Sequence, residues 1–216
     1  MRKLLLFSTL LFLSFVTFAQ SEGSDSLSIQ AVIDACVQMR DAVASGDKEA
    51  IHQSAEQLRA CNTAPFKLNC ADSNVASLNG HLVFDEAFAD SLAAGKDVYQ
   101  KAEEMSKERT TRAMVGNAPK TSSFVVLAGK SSKFTFKARG WQELAVISER
   151  GGKVTMKIHV TNSSGLDKNF NDTDDVRIGR PERKRGFQLP NTPTSTVELE
   201  IINCGDKDTS VVVVSN

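Results

Sequence analysis

Two of the aromatic residue types are nearly missing, with one Trp and one Tyr against twelve Phe. That scarcity excludes a surface built on rows of stacking indoles, and it makes the single Trp conspicuous. Net charge is also missing, because 26 basic side chains balance 26 acidic ones. A neutral chain lacks the electrostatic footprint of a nucleic-acid binder. No CxxC pair occurs and His52, His81 and His159 are scattered, which excludes the usual zinc spacings. No GxSxG, HExxH or GxxxxGK[ST] motif is present, so none of the common signatures of a hydrolase elbow, a zinc protease or a phosphate-binding loop applies. Beyond the N-terminus no stretch approaches the ~20 apolar residues of a membrane span.

What is present begins with Arg2 and Lys3, followed by the apolar run Leu4 to Phe18 and the small residues Thr17 and Ala19. This is the pattern of a secretory signal peptide, expected to be cleaved near Ala19 and to deliver a secreted or periplasmic protein. In an oxidising compartment Cys36, Cys61, Cys70 and Cys204 are expected to form disulfides. Three of them precede residue 110, so two bridges would tie the two halves of the chain together.

The remainder is expected to form two domains, helical over 20–110 and β over 122–216, joined by a polar linker at 111–121. Residues 20–110 carry 15 acidic and 8 basic side chains; residues 111–216 carry 11 acidic and 16 basic. Opposite halves of a neutral whole suggest electrostatic complementarity between them. Ile29, Val32, Ile33, Cys36, Met39 and Val43 fall at helical spacing before Ser45-Gly46, and Asp47 is placed to cap a second helix through Ile51, Ala55 and Leu58. A third, longer helix is expected from Phe84 to Met105, weakened at Gly95.

After residue 122 the apolar period changes to two. Phe134, Phe136 and Ala138 alternate with Lys133, Thr135 and Lys137, and Val154, Met156, Ile158 and Val160 alternate with Thr155, Lys157 and His159. Gly151-Gly152 reads as a hairpin turn. About eight short strands at this spacing predict a jelly-roll sandwich, and the whole chain is α+β, a small helical bundle followed by an all-β domain.

From Ser122 to Asn216 the sequence resembles the bacterial pre-peptidase C-terminal domain. The likeness lies in Phe134-Thr-Phe136, the strand Val154 to Val160, the Asn162-Ser-Ser-Gly165 turn, and Val197 to Asn203 leading into Val211 to Val214. Val197 stands where that family often has an aromatic. The resemblance implies a non-catalytic accessory module, sometimes calcium-dependent, although no peptidase domain adjoins it.

Three groups of residues are candidate sites. Asp167, Asn169 and Asn171 are spaced as the first ligands of a calcium loop, but Asp172 and Ile178 replace the Gly and Glu that such a loop needs, and a solvated loop is the competing reading. Arg180, Arg183, Lys184 and Arg185 form a basic run that reads as a solvated loop or as a contact for a polyanion or the acidic helices, and without interleaved aromatics it does not suggest nucleic acid. Trp141, next to Gly140 at a strand edge, suits stacking on a sugar ring, and a core or corner residue is the competing reading. The expected function is an exported, non-enzymatic binding protein for a protein or glycan ligand, with calcium as the one conceivable cofactor. A carbohydrate-binding module and an enzyme with a site in the helical half or the interdomain cleft are the alternatives.

Overall fold

The structure is a computed structural model, and it describes residues 29–70, 74–108, 118–170 and 181–216. The expected signal peptide lies outside these residues. Two helices, α1 (Ile29–Ser45) and α2 (Lys48–Ala60), form the expected hairpin. Gly46 closes α1 in a left-handed conformation, donating to the Val43 carbonyl while Asp47 donates to that of Ala42, and the Asp47 side chain then caps α2 through the amides of Glu49 and Ala50.

The expected third helix is divided. Helix α3 (Glu86–Ala93) stops at Gly95, whose φ of +75° allows the same closure, with Gly95 donating to Leu92 and Lys96 to Ser91. A 3₁₀ turn at Tyr99–Lys101 leads into α4 (Ala102–Glu108). Gly95 therefore ends a helix where the apolar pattern alone runs through it. Among the described residues no helix is long and apolar enough to cross a membrane.

Eight strands follow: β4 (Lys120–Val126), β5 (Ser131–Ala138), β6 (Trp141–Ser148), β7 (Val154–Thr161), β8 (Asp167–Asn169), β9 (Glu182–Gln188), β10 (Ser195–Asn203) and β11 (Thr209–Ser215). One sheet runs β4-β11-β6-β9 and the other β5-β10-β7-β8, which is jelly-roll order. Consecutive strands here lie in opposite sheets except β7 and β8. The expected β6–β7 hairpin is accordingly not one, because Gly151-Gly152 carries the chain from one sheet to the other. Gly151 supplies a φ of +84°, and Gly152 has no room for a Cβ, which would lie 2.5 Å from Thr209 Oγ1 and 2.6 Å from Ser148 Oγ.

The two halves are not separate bodies. Three two-residue strands before α3 extend the sheets: β1 (Ala64–Pro65) and β3 (Val75–Ala76) pair with β4, and β2 (Asn69–Cys70) pairs with β5. Side chains of β6 and β11 alternate between two cores. Leu144, Val146, Val211 and Val213 fill the sandwich, whereas Ala145, Ile147, Val212 and Val214 join the cluster of α1, α2 and α3. The molecule is thus three layers, helices on one sheet and that sheet on the other. We call the first the helix-covered sheet and the second the open sheet.

Polar contacts fasten the helical layer. Arg40 of α1 pairs with Glu182 of β9 at 3.2 Å, Lys184 Nζ donates to Gln30 Oε1 at 2.8 Å, and Arg150 donates to the Ala44 carbonyl at the end of α1. The Arg40–Glu182 pair runs against the overall charge asymmetry, the cation coming from the acidic half.

The expected disulfides are corrected: no disulfide joins Cys36, Cys61, Cys70 or Cys204. Cys36 and Cys61 lie buried in the helical core, on the far side of the helix-covered sheet from Cys204, which follows β10. Cys70 stands opposite Phe134, and Phe134 opposite Leu199, so Cys204 is five residues farther along, ~16 Å at strand spacing and beyond disulfide reach. Shared sheets and a shared core do the joining that a cross-link was expected to do.

Candidate functional site

Trp141 opens β6 on the helix-side face of its sheet, beyond the end of the helical layer. Its neighbours on that face are fixed by the pairing of β6 with β9, which sets Trp141 opposite Gln188 and Glu143 opposite Gly186. The indole reaches diagonally across to β9 and lies on Gly186. A Cβ at that glycine would be 2.6 Å from Trp141 Cζ2 and 2.8 Å from Cη2, so only a glycine admits the ring here. The six-membered ring meets the Gly186 backbone while Trp141 as a whole stays 55 % exposed, the single large apolar side chain so exposed among the described residues. A flat aromatic held in this way is a stacking shelf.

Polar groups surround it. Asn216 ties the strand end down, its Oδ1 accepting from the Glu143 amide at 2.9 Å and its Nδ2 donating to the Trp141 carbonyl at 3.2 Å. Gln188, opposite Trp141, donates through Nε2 to the Leu189 carbonyl, and on the other face of β6 Gln142 Nε2 donates to the carbonyls of Arg139 and Trp141. Lys184 Nζ, 2.6 Å from Glu143 Oε1, borders the shelf on the side of α1.

The basic run is thereby sorted by strand alternation. Lys184 faces the helices, Arg183 is buried and donates through Nε to the Val154 carbonyl at 3.1 Å, and Arg185 is exposed on the outermost strand of its sheet. Arg180 lies outside the described residues. β9 thus brings Lys184 onto the same sheet face as Trp141, while Arg183 and Arg185, opposite Val146 and Leu144, project from the other face.

Asp167 and Asn169 fall on β8 rather than in a free loop, and Asp167 Oδ1 lies 2.8 Å from His159 Nε2 on β7. Asn171 lies outside the described residues. Among the described residues no three His, Cys, Asp or Glu side chains are grouped to hold a metal.

Two further histidines carry contacts that sequence reasoning did not find. His81 Nδ1 meets Glu149 Oε1 at 2.9 Å, and that carboxylate also accepts from the Leu82 and Ser210 amides at 3.3 and 2.8 Å. Glu149 thus knots the segment before α3 to β11, and its oxygens are occupied by backbone. Its charge also acts on Tyr99, whose hydroxyl is pushed above the usual tyrosine range first by burial and then by Glu149. On the far side of the helices His52 and Arg59 both meet Asp90, an exposed cluster of small energetic weight.

No family model matches the chain, and no curated protein matches it in sequence. Several solved structures overlap about half of the chain. A family 61 carbohydrate-binding module in complex with β-1,4-galactotriose is 8% identical over 46% of this chain and 81% of its own, with a TM-score of 0.28. PliG, a periplasmic inhibitor of g-type lysozyme from Salmonella Typhimurium, is 16% identical over 49% of this chain and 93% of its own, also at 0.28. The enzymatically active domain of tailspike protein 4 from bacteriophage CBA120 is 11% identical over 45% of this chain, which spans 17% of that domain's length, at 0.31. Likenesses at these identities and TM-scores assign no residue a role.

Proposed function

We propose that the protein is an exported, non-enzymatic binding protein whose ligand is a glycan, held on the Trp141 shelf. The observation that carries this reading is the indole seated on Gly186 with Trp141 55 % exposed. An apolar ring face left open to water, bordered by amide and carboxylate groups, complements a pyranose, which has an apolar face and a rim of hydroxyls. An accessory role of the kind implied by the pre-peptidase resemblance agrees with it.

Trp141 is the chain's sole Trp, so its fluorescence reports on the shelf alone. Titration with oligosaccharides is expected to quench or shift that emission, and calorimetry on Trp141→Ala to show at least about a tenfold loss of affinity. Undiminished binding by Trp141→Ala would place the ligand elsewhere.

A further inference from the structure

The six-membered ring of Trp141 lies in the row of Glu143, because Gly186, which the ring meets, is the residue opposite Glu143. Directly opposed residues on one sheet face have Cβ atoms about 5 Å apart, so the Glu143 side chain starts next to the ring. That side chain is fixed. The Glu143 amide donates to Asn216 Oδ1, and Glu143 Oε1 lies 2.6 Å from Lys184 Nζ, which is tied in turn to α1 through Gln30 Oε1. Among the described residues Glu143 Oε2 accepts no hydrogen bond, and these two contacts leave the Lys184 ammonium one of its three donors. The side chains of Lys184 and Glu143 are 40 % and 22 % exposed, so both reach solvent on the face that carries the indole.

A fixed acceptor and a fixed donor therefore stand side by side at the edge of an exposed aromatic ring. We infer that Glu143 and Lys184 are the specificity-determining half of the site and read two adjacent hydroxyls of an uncharged sugar stacked on Trp141, Glu143 Oε2 accepting from one and Lys184 Nζ donating to the other. This rests on the glycan reading above and narrows it. A hydroxyl both donates and accepts, so neighbouring hydroxyls satisfy the pair without separating it. Hydrogen bonds to ionised groups are about twice as strong as neutral ones, and because the pair is formed before the sugar arrives, little side-chain freedom is lost on binding. The pair is neutral as a whole. A uronate or sulfate group at the same place would compete with Glu143 for Lys184 and set its own charge against the carboxylate.

The test uses the full chain and Trp141 emission, with the β-1,4-linked tetraoses of galactose, glucose and mannose as neutral probes and tetragalacturonate and tetramannuronate as acidic ones. The best neutral probe is expected to bind about tenfold tighter than either acidic one. Glu143→Gln keeps the shape of the side chain and removes its charge. It is expected to weaken the best neutral probe several-fold, to narrow its lead over the acidic probes, and to leave the emission of the unliganded protein unchanged. A residue that only braced the strand would weaken every probe alike. An acidic probe binding as tightly as the best neutral one, or a Glu143→Gln variant that keeps the wild-type lead, overturns the inference and leaves the glycan reading standing. No response to any probe overturns both.

Discussion

A methyl group on Gly186 would have to occupy the space 2.6 Å from Trp141 Cζ2, and the backbone there has no positive φ to make alanine strained for any other reason. Gly186→Ala is thus a probe of the ring's seat and of little else. It is expected to lift the indole into water, shift its emission to the red and weaken glycan binding, while stability changes by no more than ~1 kcal/mol. Unaltered emission and binding would mean that the ring does not rest on this glycine. Trp141 was legible as a candidate because it is alone, but the glycine that seats it was not. The shelf exists only once β6 and β9 pair in one register, and local pattern carries no information about pairing across 45 residues. A glycine in the middle of an otherwise charged strand was the available sign of a close approach.

At the scale of elements, the difference between alternating and continuous apolar runs distinguishes the two sheets. β10 alternates between buried and half-buried positions because, among the described residues, one face of the open sheet meets no layer. β11 is buried at every position from Thr209 to Ser215, since helices cover one face and the sandwich the other. The run Val211 to Val214 thus held evidence that the helices lie on this sheet. Gly95 and the Gly151-Gly152 pair were harder to read, because a glycine may close a helix, turn a hairpin or cross between sheets, and which occurs depends on packing elsewhere. The junction at Glu149 is testable through Tyr99, the chain's sole Tyr. Its absorbance titration is expected to lie above the usual tyrosine range, and Glu149→Gln to lower the midpoint without restoring the ordinary value, since burial is the larger cause. Because the folded pKa exceeds the unfolded one, the stability linked to the Tyr99 proton is complete below the ordinary tyrosine range. It is lost as pH rises through the raised value. An unmoved midpoint in Glu149→Gln would remove Glu149 from the environment of Tyr99.

For the whole molecule, the three layers explain why periodicity divides the chain at residues 111–121 while the fold does not. Val125, Ala145, Ile147, Val212 and Val214 of the β half are covered by helices, and Pro65, Cys70 and Ala76 of the helical half belong to strands of the sandwich. The helical layer also limits the binding surface, because α1 covers β6 up to the row of Lys184 and, among the described residues, no helix covers the Trp141 end. The glycan reading therefore commits to one end of one sheet face. Its most direct test is an amide and indole chemical-shift map of the full chain during titration with an oligosaccharide that quenches Trp141. The account requires the Trp141 indole N–H and the amides of Glu143, Gly186 and Gln188 to move first and farthest. Shifts confined to the open sheet, around His159 and Glu198, or to the Glu149 junction would contradict it.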